Sequence, residues 1–255
     1  MQLIDTHCHL DFPVIAADIE AVLRRARQSG VTRFVVPGVD RQRWAGILTL
    51  CQQHKGLYPA LGLHPCFLAH DHTDDLQRLE QLLQQHPEIV ALGEIGLDLF
   101  IPDADLRAQL SVLHPQLLLA KQYDKPVLLH VRKAHDQLLK QLRQLKLPRA
   151  GLVHAFAGSQ QQAVEYLQLG FKLGIGGAIT YPRALKLRRL VAELPLGSFV
   201  LETDSPDMPL CGYQGQVNYP ERVALIAATV ADIRQEPLAA IIEASVLQST
   251  NILSL

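Results

Sequence analysis

Short apolar runs bounded by turn residues alternate along the chain with longer segments whose apolar residues recur every three or four positions. The runs fall at Leu3–Asp5, Arg33–Val36, Tyr58–Leu61, Ile89–Gly93, Pro126–His130, Gly151–His154, Phe171–Ile175 and Ser198–Glu202, and they predict eight strands. The segments between them predict helices. Ile15, Ile19, Val22, Leu23 and Ala26 form one apolar stripe; Leu106, Leu110, Leu113 and Leu117 form another. Ser159 with Gln162 three residues on has the form of a capping box, opening a helix directly after the sixth strand. Strands alternating with helices call for a parallel sheet, and eight units close it into an α/β fold of the (β/α)8 TIM-barrel type. A doubly wound open sheet is the alternative, but no Gly-rich dinucleotide fingerprint follows the first strand. No linker or composition shift divides the chain, so residues 1–255 are expected to form one domain.

Composition supports a packed core, with 48% hydrophobic and 19% charged residues. Lys and Arg number 24 against 25 Asp and Glu, a formal charge of −1 that argues against a broad cationic surface for wrapping nucleic acid or a polybasic membrane patch. No stable nucleic-acid complex and no membrane association are therefore expected, and composition does not speak to oligomeric state. Cys8, Cys51, Cys66 and Cys211 are scattered, without a CxxC pair, and read as reduced thiols. Asp5, His7 and His9 interrupt the start of the chain where a signal peptide would be apolar, and the expected location is cytoplasmic. Eleven histidines are the one count that asks for an explanation.

The first strand leads into Asp5-Thr6-His7-Cys8-His9. In extended backbone the side chains alternate, so His7 and His9 share a side and Cys8 packs away from them. Paired imidazoles are a common way of holding Zn2+. Further strands end on His64, Glu94, His130, His154 and Asp204, and in a barrel such ends converge on the face that carries the active site. Four histidines (His7, His9, His130, His154) with Glu94 and Asp204 exceed the ligand set of a single catalytic Zn2+. They suggest two divalent ions sharing a carboxylate, with Glu94 as the bridge. Imidazoles favour Zn2+ and carboxylates the harder Mg2+ or Mn2+, and the ligand types leave that choice open.

Longer blocks around these positions carry a resemblance. Asp5-Thr6-His7-Cys8-His9-Leu10-Asp11, Gly62-Leu63-His64-Pro65, Gly93-Glu94-Ile95-Gly96-Leu97-Asp98, Lys125-Pro126-Val127-Leu128-Leu129-His130, His154-Ala155-Phe156-Ala157-Gly158-Ser159 and Leu201-Glu202-Thr203-Asp204-Ser205-Pro206 resemble the motifs of the TatD-type metal-dependent hydrolases. That family of amidohydrolase-related barrels includes deoxyribonucleases that remove nucleotides from a DNA 3′ end. The resemblance implies that His7, His9, Glu94, His130, His154 and Asp204 bind divalent metals. The chain departs from the family at Ala155 and Ala157 where Cys and Ser are usual, at Leu99-Phe100 where paired tyrosines are usual, and at Val217-Asn218-Tyr219-Pro220 in place of Arg-Asn-Glu-Pro. Those departures fall at substrate-facing positions and leave the proposed ligands intact.

The expected chemistry is attack by a metal-activated water, with Asp204 accepting its proton and Glu94 fixing the metal spacing. A small phosphodiester or a single-stranded DNA end is the expected substrate, and an ester or amide at the same site is the alternative. A non-catalytic barrel held together by metal is a third reading; it calls for a closed ligand set rather than one at a mouth. Arg132, in phase with His130, reads either as a forked phosphate donor or as a solvated loop charge. His64 reads as a contact to the same group or as a capped strand end. Glu202, in phase with Asp204, reads as a carboxylate orienting a ligand or as a buried structural pairing. His54, His70, His72, His86, His114 and His135 read mostly as surface residues, Gly174, Gly176 and Gly177 as a tight backbone passage, and Trp44 and Tyr58 as packing residues.

Overall fold

All eight apolar runs form strands in the computed structural model, which describes residues 2–68 and 72–255. The strands are β1 (Leu3–Asp5), β2 (Val31–Pro37), β3 (Leu57–Leu61), β4 (Ala91–Asp98), β5 (Val127–Arg132), β6 (Gly151–Val153), β7 (Lys172–Ile175) and β8 (Phe199–Leu201). They pair in parallel and in chain order from β1 to β8. The connecting helices are α1 (Pro13–Ala16), α2 (Ile19–Gln28), α3 (Arg41–Gln53), α4 (Thr73–Gln85), α5 (Leu106–Gln122), α6 (His135–Leu145), α7 (Gln160–Gln168) and α8 (Leu185–Glu193), followed by α9 (Val223–Arg234) and α10 (Leu238–Leu253). The result is a nearly closed (β/α)8 barrel. Buried on both faces, its strands are continuous apolar runs, as parallel sheets require.

Hydrogen bonds between the two ends of the chain close the gap between β8 and β1. Thr6 donates from its amide and its hydroxyl to the Leu201 carbonyl, and His9 N–H donates to Ser205 O at 2.7 Å. Thr203 donates its amide and its hydroxyl to the buried Asp5 carboxylate, at 3.0 and 2.5 Å. Val35, Ala60, Ala91, Leu128, Leu152 and Val200 pack with Leu253 in a second buried cluster, separate from the larger one between sheet and helices. Strand interiors of this kind fill a barrel core and leave the C-terminal strand ends for chemistry.

Three sequence expectations are corrected. The stripe from Ile15 to Ala26 is not one helix: Asp18 caps α2 by accepting from Ala21 N, and a short α1 precedes it. Along α5 the buried face is Gln109, Val112, Leu113, Gln116, Leu117 and Ala120, so Leu106 and Leu110 lie at its edge. The rotation puts two amides inward. Gln116 accepts from Leu63 N at 2.8 Å and donates to Leu63 O at 3.2 Å, while Gln109 accepts from Asp98 N at 2.8 Å and donates to Asp98 O at 2.7 Å. Each glutamine thus satisfies the backbone at a strand end that a neighbouring strand cannot reach. Third, β4 and β5 run on to Asp98 and Arg132, so Glu94 and His130 lie within strands, with a register shift in β4 between Leu92 and Ile95. The Ser159–Gln162 capping box is present in both directions at the start of α7.

Candidate metal centre

β1, β4, β5, β6 and β8 deliver their polar residues to one cavity of about 490 Å³ at the C-terminal ends of the strands. His9, His64, Glu94, His130, Arg132, His154 and Asp204 line it, and the buried His7 joins the same cluster. The structure therefore brings all eight sequence-derived site residues together. His7, His9 and Asp204 place one ligand atom each within 4.8 Å of one another, and so do Glu94, His130 and His154.

Three of the imidazoles, those of His9, His154 and His130, are aimed at the carboxylates by a partner on the other side of the ring. His9 donates Nδ1–H to Pro37 O at 3.3 Å, which leaves Nε2 facing Asp204 Oδ1 at 3.5 Å and Glu94 Oε2 at 3.6 Å. His154 Nδ1 lies 2.9 Å from Glu202 Oε1, and its Nε2 faces Asp204 Oδ1 at 3.6 Å. His130 donates Nε2–H to Asp98 Oδ2 at 3.0 Å and turns Nδ1 to Glu94 Oε1 at 3.1 Å. Such outer partners fix ring orientation and raise ligand basicity. Glu202 is anchored in turn by Ala155 N–H at 2.6 Å. Gly174 gives it room, since a Cβ there would stand 2.3 Å from Glu202 Oε2. Gly177 is a second tight passage, its Cβ position 2.4 Å from Met208 O; Gly176 is looser.

Asp204 holds its carboxylate in place through an unusual backbone, with φ of 59° in the left-handed region. Its N–H donates to His7 O at 2.9 Å and its carbonyl accepts from Asp207 N at 2.8 Å, so the turn is enforced on both sides. Ala155, one past His154, has φ of 43°. Non-glycine residues in this region gather where function over-determines the backbone.

The electrostatics follow from packing many ionisable groups together. Burial pushes the Glu94 carboxyl up, but the His64, His7 and His130 rings outweigh it and hold it well below the usual carboxylate range. Asp204 is likewise far below that range despite its burial, through His154, His9 and His7. Burial opposes protonation of His130, yet Asp98 and Glu94 raise it to about 9; Asp98 itself, against the same opposition, is held at about 2 by His130 and Phe100 N. Burial lowers His7 and His64, and the His7 ring stacks on His154 at 3.7 Å. Among the described residues the ion pairs of Glu94 and Asp204 are all with histidines, and no Lys or Arg neutralises them. Imidazoles and carboxylates without a fixed cation suit a divalent ion, which would take over the charge that imidazolium carries here.

A pH dependence follows. The folded-state value of His130 lies above its ordinary 6.5, so its contribution to stability is complete below about pH 6.5 and is lost as pH rises through about 9. The melting temperature of chelator-treated protein is expected to fall across that window by thermal denaturation, and less so in His130→Asn. Divalent cations are expected to reverse the trend and to release protons on binding, because ligating imidazoles must be deprotonated.

Several contributors were not singled out from sequence. Asp98 continues the period-two alternation Glu94–Gly96–Asp98, which was the available signal. Gln109 and Gln116 were hidden by an all-leucine stripe. Asp207, Phe12, Phe67 and Met208 complete the cavity wall, placed there by loops whose course periodicity does not predict. Arg132 lies on the wall with its guanidinium 3.8 Å from the centre of the exposed Phe100 ring. Cys8 is fully buried with Sγ directed to Val35 O, on the side away from its flanking histidines. Trp44 is buried and donates to Gly62 O, whereas Tyr58 is half-buried. Of the remaining histidines, His114 is exposed, while His54, His72, His86 and His135 are half-buried rather than free on the surface; His135 packs on Phe156 and Tyr166. His70 lies outside the described residues.

Comparison with known proteins agrees with this geometry. The sequence matches the family described as TatD related DNase over residues 4–253. An Escherichia coli (strain K12) protein named uncharacterized metal-dependent hydrolase YjjV is 50% identical over 237 residues, covering 92% of each chain. The crystal structure of YjjV, a TatD homolog from E. coli K12, superposes with a TM-score of 0.97 at 48% identity, covering 99% of this chain and 98% of that one. An uncharacterized amidohydrolase from Saccharomyces cerevisiae shares the fold, with a TM-score of 0.84 at 20% identity over 99% of both chains. With motif residues gathered in one cavity and the match extending across nearly the whole sequence, this chain belongs to the TatD family of metal-dependent hydrolases.

Proposed function

We propose that the protein hydrolyses phosphodiester bonds at a dinuclear centre, acting on a small phosphodiester or on the 3′ end of single-stranded DNA. The observation that carries this reading is the pair of ligand groups, His7/His9/Asp204 and Glu94/His130/His154, at an open cavity with an arginine on its wall. Two divalent ions, Zn2+, Mg2+ or Mn2+, would supply Lewis acidity that acidifies a water and offsets charge on the phosphoryl oxygens. Glu94 lies between the two groups and fixes their separation. Asp204, ionised and turned into the cavity, takes the proton of the attacking water. Arg132 and His64 hold the phosphoryl group, and the wall-lining Phe12 and Phe67 offer ring faces to a base. The volume of about 490 Å³ suits a nucleotide-sized ligand.

One observation favours a second reading, hydrolysis of an ester or amide. Arg132 is the single Lys or Arg among the described lining residues, and Asp207 lines the same cavity, a modest charge for a polyanion. A panel of bis-p-nitrophenyl phosphate, 3′-labelled single-stranded DNA, and ester, lactone and amide substrates separates the two. Turnover of the phosphodiesters is expected with protein reloaded with Zn2+, Mn2+ or Mg2+. Turnover confined to the carbonyl substrates would overturn the proposal.

A further inference from the structure

The formal charge of −1 is unevenly distributed along the chain. Between Glu165 and Glu193 stand Lys172, Arg183, Lys186, Arg188 and Arg189, and not one Asp or Glu. Lys172 and Arg188 are engaged by the fold, donating to Gly197 O at 2.7 Å and to Ile179 O at 2.9 Å. Arg183, Lys186 and Arg189 are exposed, and none of them takes part in an ion pair among the described residues. Lys186 and Arg189 lie three positions apart on α8 and so share a face. Glu193, the first carboxylate beyond them, accepts from Gln160 Nε2 at 3.3 Å.

These cations follow β7 at the active-site end of the barrel, and the segment between that strand and α8 is bound to the loop that walls the cavity. Tyr181 donates Oη–H to Pro209 O at 2.8 Å, and Thr180 Oγ1 accepts from Cys211 N at 2.8 Å. Gly177, lacking a side chain, lets Met208 O approach its backbone. Met208 and Asp207 line the cavity itself. The Arg183 guanidinium lies 5.3 Å from the centre of the Tyr181 ring, beside this seam, and the chain then turns into α8. Arg183, Lys186 and Arg189 thus form a narrow line that leads away from the mouth, outside a cavity whose described wall holds one cation of its own.

We propose that Arg183, Lys186 and Arg189 are an electrostatic track for the backbone of a single-stranded nucleic acid whose end occupies the cavity, so that the substrate is a strand end rather than a small phosphodiester. The track rests on the phosphodiester reading of the centre and adds where the remainder of the strand lies. Unpaired Lys and Arg hold phosphates without reading bases. Three in a line, on a chain near neutrality, hold a few nucleotides weakly and in a salt-dependent way, which differs from wrapping a nucleic acid over a broad basic face.

Binding of a 5′-fluorescein twelve-nucleotide oligothymidylate to metal-free protein, followed by anisotropy from about 50 to about 200 mM salt, tests the track without turnover. The triple variant Arg183→Gln/Lys186→Gln/Arg189→Gln is expected to lose at least about tenfold in affinity at the low-salt end. Its plot of log affinity against log salt should flatten by about 2, at about 0.7 for each of three phosphate contacts. Gln at Arg27, Arg33 and Lys55, which line a separate cavity at the N-terminal ends of β2 and β3, changes the net charge equally and is expected to alter neither quantity. In metal-loaded protein the first triple variant is expected to match wild type on bis-p-nitrophenyl phosphate and to lose the gain in kcat/KM from a dinucleotide to the twelve-nucleotide strand. Equal affinity and salt slope in wild type and that variant, or an equal loss in the charge-matched control, overturns the track even where wild type cleaves phosphodiesters. Binding that follows the expected pattern in a protein that cleaves no phosphodiester upholds the surface and refutes the reading of the centre instead.

Discussion

Alanine at position 204 is expected to lower phosphodiester turnover by at least about 10³-fold while the circular dichroism spectrum of the folded protein is retained, a loss within the range that removing a proton acceptor at a reacting group produces. The magnitude follows from what Asp204 touches. Its Oδ1 lies 3.5–3.8 Å from the Nε2 atoms of His7, His9 and His154, so one carboxylate serves three imidazoles. Burial, which would favour its neutral form, is overcome by those rings, and the group is therefore ionised at any working pH. Alanine removes both a ligand and a base, and it also relieves a left-handed backbone of its polar side chain. Asp204→Asn separates the contributions: the amide keeps an oxygen for ligation and cannot accept the proton, so metal content measured by elemental analysis should fall less than turnover. Turnover within tenfold of wild type in either variant would refute the assigned role.

Gly174→Ala is expected to be strongly disruptive to the support of the centre. The new Cβ would stand 2.3 Å from Oε2 and 2.6 Å from Cδ of Glu202, a side chain that is buried and pinned through its other oxygen by Ala155 N–H. Overpacking of this kind costs about 1–3 kcal/mol. Any relief must come from moving Glu202, which withdraws the support of His154, and loss of such an outer partner lowers metal affinity by about 10–100-fold. Chemical denaturation and metal competition titrations measure the two effects. Combining Gly174→Ala with Glu202→Ala should recover much of the steric cost, a coupling expected of residues in contact. Equal costs of Gly174→Ala in both backgrounds would mean that the clash is absorbed elsewhere.

The fold was legible because a parallel barrel buries both faces of each strand and so writes itself as separated apolar runs, such as Val127–Leu129 and Val200–Leu201. That the candidate ligands share one cavity was legible for a related reason: strand alternation ties the direction of His9 to that of His7, and strand ends converge whatever the intervening helices do. Boundaries were less so. A register shift between Leu92 and Ile95 carries β4 past Glu94 to Asp98, which no apolar pattern announces because Gly93, Glu94 and Gly96 interrupt it. Gln109 and Gln116 look like the polar side of a helix until their targets, the backbone of Asp98 and Leu63, are known. Loop residues such as Asp207 and Phe67 owe their places to tertiary contacts, so local sequence gave no hint of them.

The seam between β1 and β8 sets the order of events during synthesis. Thr6 and Leu201, which hydrogen-bond across it, are 195 positions apart, and His7 and His9 meet Asp204 only once that seam has formed. A chain still emerging from the ribosome holds both histidines early but lacks their carboxylate until its last quarter is made. The His7/His9/Asp204 group is thus a property of the finished barrel, and an ion bound there would act as a clasp that joins the end of β1 to the turn after β8.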